Sequence, residues 1–525
     1  MTNSKSRSLA QLRAILLTSA VLAGMTAGAW PAAAMAQGTG ILVVGQTGPI
    51  DTLDPLHADV SRTDNVSSGL YNTLISYDQD GVVVPQLATE WTISPDVTAI
   101  DFTLRTDVKF HDGTPLTAAD VVYTLDRIKR LGQGVANMLG NYKSATAVDD
   151  SHVHVELSAP STLMLGGLTK IYILNSKLVE QHAGSDDAQA WLHSNEAGSG
   201  PYRFEAPQPD TTNVRMSLFD GYWAPDPARP ATIIVKRMDG SATQSAALRA
   251  GSIDVATEIS PRDVLSFDGQ LGFTVARGKS SGGTYVYFNV DHGPTANREL
   301  RRALQYAYDY QGDIDKIQVG SGALTDGPLP PSTACRPAGE TARQDVAKAK
   351  ELLAASGLGN PQLTMTYDPS FVTMNAEAVL LQSNLRDIGI ELTLKPATFP
   401  EYLAMLKSPE TLPEMALVID YMQYPDPGTM LSIDYTTAAI KQGTSKTAYS
   451  NPEVDKLIEG AIVNPDPQAR CDMYTRAQEI IRDDALSINL AYSSPPIVSG
   501  PKVGGIAYDI VHGPIDLSDL RQAAN

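Results

Sequence analysis

Between Ile100 and Arg105 apolar and polar residues alternate, Ile100, Phe102 and Leu104 against Asp101, Thr103 and Arg105. That period of two predicts a half-buried strand. His111-Asp112-Gly113 then predicts a turn, because Asp and Gly tolerate the positive φ of a tight reversal. Thr117 followed by Asp120 is close to a capping box, in which the hydroxyl accepts an orphan N–H. Val121, Val122, Leu125 and Ile128 follow at helical spacing, so a helix burying one stripe is expected. The same two periods recur downstream. Strands are predicted at 41–44, 151–157, 253–256, 283–290, 363–367 and 390–394, and helices at 245–249, from Arg298, at 347–355, 376–387 and 468–483. Gly251 and Gly357 mark two helix ends. Strand, helix and strand in succession argues for an α/β architecture.

A chain of 525 residues, 42% hydrophobic and 19% charged, has material for two or three lobes with sizeable cores. Residues 1–36 carry Lys5, Arg7 and Arg13 and no acid. A basic start, an apolar run from Ala14 to Ala29 and Ala34-Met35-Ala36 fit a cleavable secretory signal. Its removal takes the formal charge from −19 to −22, which argues against nucleic acid or an anionic membrane surface as partner. No later stretch reaches the ~18 apolar residues of a membrane span. No cysteine lies near the cleavage site, so a periplasmic protein without a lipid anchor is expected. Cys335 and Cys471 are the two cysteines of the chain; an exported protein can bridge them, though two free thiols fit the sequence equally.

The wording of the chain is more specific than its periodicity. Pro85-Gln-Leu87-Ala88-Thr-Glu-Trp91, Phe102-Thr-Leu104-Arg105 and Val108-Lys-Phe110-His111-Asp112-Gly113-Thr-Pro115-Leu116-Thr117-Ala118-Ala-Asp120-Val121 resemble the consensus of the bacterial extracellular solute-binding proteins of family 5. These are the dipeptide-, oligopeptide- and nickel-binding components of ATP-driven importers. Further blocks agree in order: Leu53-Asp54-Pro55, Gly198-Ser-Gly-Pro201-Tyr202, Gly251-Ser-Ile253-Asp254-Val255, Phe288-Asn289, Arg302-Ala-Leu304 and Tyr449-Ser-Asn451-Pro452-Glu453. The resemblance implies a two-lobed periplasmic binding protein of type II, α/β, with crossing strands at the hinge and an extra subdomain in the first lobe. The expected division is 37–60, 196–284 and 486–525 for lobe I, 61–195 for its subdomain and 285–485 for lobe II. A ligand would be enclosed as the lobes close.

In peptide-binding relatives a segment like Gly-Trp-x-x-Asp-Tyr-x-x-Pro supplies an Asp to the ligand's amino group. Here the matching stretch is Asp420-Tyr421-Met-Gln423-Tyr424-Pro-Asp426-Pro427. Gln423 stands at the acid's place and Asp420 at the tryptophan's. An amide both donates and accepts, which suits a neutral or polyhydroxylated ligand or an opine as well as a peptide, unless Asp420 or Asp426 takes over the amine. Tyr421 and Tyr424 flank the segment. Tyr287 and Asn289, on the crossing strand, and Tyr71 and His57 complete the candidate ligand residues.

No metal or cofactor is expected. His152 and His154 share a strand face, but lacking a third ligand nearby they are read as solvated. No HExxH, nucleophile elbow or Walker loop occurs, so a secreted hydrolase is disfavoured. The reading is the binding subunit of an importer, a monomer whose partners are a small solute and the membrane permease. A sensor or chemoreceptor partner of the same fold is the alternative.

Overall fold

The computed structural model describes residues 40–78, 81–205, 212–319, 321–493, 496–509, 511 and 514–524; the expected signal at 1–36 lies outside them. The predicted capped helix forms as Ala118–Leu131, and the Asp120 carboxylate accepts from the Thr117 N–H at 2.8 Å and hydroxyl at 3.0 Å. Its other oxygen accepts from the N–H and hydroxyl of Ser176, at 2.9 and 2.6 Å. Val121, Leu125 and Ile128 are buried, and Val122, also expected in the stripe, is half-buried. Asp120→Ala removes the cap and strands a buried N–H, so it should cost about 2 kcal/mol; urea unfolding checks it.

The strand at Ala99–Leu104 buries Ile100, Phe102 and Leu104 as predicted. It sits in a four-stranded antiparallel sheet formed within 88–157. His152 and His154 point outward, one against Asp149 and the other against Asp101.

Two larger mixed sheets build the lobes. A seven-stranded sheet centres on Ile41–Gln46, parallel to Thr232–Arg237 and Val255–Ala256. A six-stranded sheet runs Gly322–Ala323, Ser487–Ser493, Gly282–Phe288, Met415–Tyr421, Gln362–Tyr367, Glu391–Pro396. Every residue of Gly282–Phe288 is buried. Val286 and Phe288 face one core and Tyr285 and Tyr287 another, the pattern of a strand covered on both faces. The chain crosses between the sheets twice, from Thr274–Ala276 to Gly282–Phe288 and from Ser487–Ser493 to Ile497–Ser499. Ser487–Ser493 thus pairs in the six-stranded sheet and Ile497–Ser499 in the seven-stranded one. Seven successive residue pairings hold Gly282–Phe288 to Met415–Tyr421. At their end Gly282 is required, because a Cβ there would lie 2.2 Å from both the Asp420 carbonyl and the Tyr421 ring.

Cys335 and Cys471 form a disulfide, with Cα atoms 4.7 Å apart. It fastens the loop around residue 335 to the helix Pro467–Asp483.

Candidate functional site

In the six-stranded sheet Gln362–Tyr367 runs parallel to both Glu391–Pro396 and Met415–Tyr421. All three strands therefore end on one side, at Tyr367, Pro396 and Tyr421. Helices Val372–Asp387 and Phe399–Met405 begin there. The crevice beyond the carboxyl ends of such strands is where open α/β sheets bind ligands. Two adjoining cavities lie there, of about 400 and about 290 Å³, sharing Phe399, Tyr402, Val418, Ile419 and Tyr421.

The larger cavity is floored by Asp420, Gln423 and Lys446. The Lys446 ammonium donates to Asp420 at 2.6 Å and also to Asp434, so one cation serves two carboxylates. The Tyr287 hydroxyl lies 2.7 Å from Asp420 and 3.3 Å from Asp434. Asp434 is wholly buried. Burial, opposed by the Lys446 charge and reinforced by Asp420, pushes its carboxyl up to about 7. Burial alone would lower the lysine's pKa, but the two carboxylates raise it above its usual value.

The structure brings Asp420, Tyr421, Gln423 and, behind them, Tyr287 together, and separates the other candidates. Gln423 is exposed in the cavity. Tyr424 turns away, its hydroxyl donating 3.0 Å to the Leu163 carbonyl and its ring against Gly166. Asp426 pairs with Arg470 at 2.7 Å and caps the helix Pro427–Tyr435. Asn289 is buried at the far end of its strand, its amide donating to the carbonyls of Pro409 and Leu412. Tyr71 is buried, donating to the Leu53 carbonyl. His57, half-buried in the short turn Pro55–His57, lines neither cavity. Asp54 of the Leu-Asp-Pro motif holds the buried Arg127 at 2.6 Å.

Sequence reasoning missed Lys446 and Asp434. A lone acid amid Met430, Leu431, Ile433 and Tyr435 was a usable sign, since a buried acid demands a partner. Lys446, in a loop, carried none.

The crevice lies beside the crossing between the sheets: the Met422 N–H donates 2.9 Å to the Ser281 carbonyl. Two lobes joined by two crossings, with cavities at the strand ends of one of them, are the architecture of a two-lobed binding protein. The profile of the bacterial extracellular solute-binding proteins, family 5 (middle) matches residues 82–442, and the chain belongs to that family. It is a binding protein of the kind that serves ATP-driven importers, not an enzyme. It is similar to the probable D,D-dipeptide-binding periplasmic protein DdpA of Escherichia coli, 28% identical over 95% of this chain and 97% of that protein. The glutathione-binding protein GsiB of Pectobacterium atrosepticum is 27% identical over 90% and 92%. Among solved structures, the ABC transporter substrate binding protein CtaP of Listeria monocytogenes superposes with a TM-score of 0.82. It is 26% identical, and the match covers 93% of this chain and all of that one.

Proposed function

We propose that the chain is exported by residues 1–36 and captures a small solute, a peptide or an opine- or sugar-like compound, between its two lobes. The lobes meet at the crossings 277–281 and after Ser493, and the loaded monomer delivers the solute to an inner-membrane permease. One observation carries the finer reading. Asp420 and Asp426 are already committed, to Lys446 and Arg470, which leaves the amide of Gln423 as the exposed polar side chain on the cavity floor. A ligand's polar end therefore meets a neutral donor and acceptor rather than a free carboxylate.

A thermal-shift screen of the protein from Gln37 onward, over di- to pentapeptides, opines, sugars and glutathione, tests capture. A solute at 100 times its dissociation constant should stabilise by about 2.7 kcal/mol; silence across the panel contradicts it. Gln423→Asp should restore an amine clamp. A charge-assisted bond contributes about 1.5–3 kcal/mol, so peptides with a free α-ammonium should bind about ten- to a hundredfold tighter by calorimetry, and their N-acetylated forms should not.

A further inference from the structure

The smaller cavity at the strand ends is almost wholly apolar in its walls. Phe371, Met374, Ala397, Phe399, Leu417 and Tyr421 surround its space of about 290 Å³. Among the polar groups that line it, the Thr398 hydroxyl donates to Glu401 at 2.8 Å and the Asp368 carboxylate accepts from the Ser370 N–H at 2.9 Å, while the buried Tyr402 hydroxyl has no partner. Walls this apolar offer little to replace the water around a sugar hydroxyl or a charged group, and unpaired burial of either is costly.

Large apolar side chains also stand open here. Phe371 is 47% exposed, Phe399 53% and Tyr421 44%, with Leu403 and Ile433 beside them along the larger cavity. A cluster of exposed rings around a concavity marks a place that something apolar covers. The space adjoins the cavity floored by Asp420, Gln423 and Lys446, with Phe399, Tyr402 and Tyr421 as shared walls. A ligand on that floor has this apolar space within reach.

Building on capture at this crevice, we propose that the solute carries a bulky apolar group, of leucine or phenylalanine size, which seats between Phe371, Met374, Phe399 and Tyr421 while its polar end lies against Gln423. The substrate class is then an amphiphilic small molecule, such as a peptide or opine with an apolar side chain, and wholly polar sugars are excluded.

Calorimetric titration of the protein from Gln37 onward with matched pairs tests this: Leu-Leu against Ser-Ser, and N-acetyl-Leu-Leu against N-acetyl-Ser-Ser. Burying the added methylenes should make the leucine member of a pair bind at least about tenfold tighter. Ala397→Phe, which fills the cavity, should weaken the leucine member by about tenfold or more and narrow the preference. Phe399→Ser, at an exposed position, should narrow it in the same direction should the larger residue disturb folding. Equal affinity within the pairs, or tight binding of a sugar alone, would overturn the apolar assignment and leave capture standing. No binding by any solute of the full panel would overturn both.

Discussion

Replacing Lys446 with methionine should destabilise the protein by about 3–5 kcal/mol near pH 8, the usual cost of leaving buried charge uncompensated. The ammonium is shared by Asp420 and Asp434, and its loss leaves two carboxylates facing each other, one of them wholly buried. The loss should shrink on acidification. Asp434 has a folded-state pKa raised to about 7, above its ordinary value near 4. The folded state thus binds the extra proton between those limits, and stability contributed by this group falls as pH rises from about 4 to about 7. Without the lysine the raised window widens upward, so the variant should recover most of its lost stability toward pH 5. Asp313, pushed up to about 6 by burial, and Glu377, raised by burial and by Asp313, act in the same direction. Urea unfolding of both proteins across pH 5–8 checks the account; a cost that stays flat or grows on acidification would refute it.

Removing the Cys335–Cys471 bridge should cost about 3–5 kcal/mol. The two cysteines are 136 residues apart, so the bond closes a loop containing much of the six-stranded sheet's lobe, and long loops lose most entropy on closure. It also holds the Cys335 carbonyl where Gln478 and Thr475 donate to it, at 2.7 and 3.1 Å. Dithiothreitol should lower the melting temperature of the wild type, while the double variant Cys335→Ser/Cys471→Ser should melt low with or without reductant. Equal melting in all cases would contradict a structural role.

Much of this fold was legible because its signals are local. Thr117, Asp120 and the stripe after them specify a capped helix, and the alternation at 100–104 specifies a half-buried strand. The strand at 283–290 was placed, but not the end of it that meets the cleft. Tyr287 and Asn289 share a face at a spacing of two, yet their distance from the crevice depends on sheet order. Because Gly282–Phe288 runs antiparallel to Met415–Tyr421, its beginning lies beside Tyr421 and Asn289 lies at the opposite end. Likewise Ser487–Ser493 reads as a strand whichever sheet it joins, so its place in the six-stranded sheet carries no local signal. Asp420 and Gln423, which line the larger cavity, stood out because they depart from a known phrase. Lys446 and the apolar walls at Phe371 and Met374 were invisible because segments distant in sequence assemble them only in the folded chain.

Capture as proposed encloses one solute between two lobes. Small-angle X-ray scattering of the protein from Gln37 onward, titrated with the solute that stabilises it most, tests it directly. The radius of gyration should fall with added solute and level off at one equivalent per chain. Saturable binding with an unchanged radius, or with more than one equivalent per chain, would contradict it.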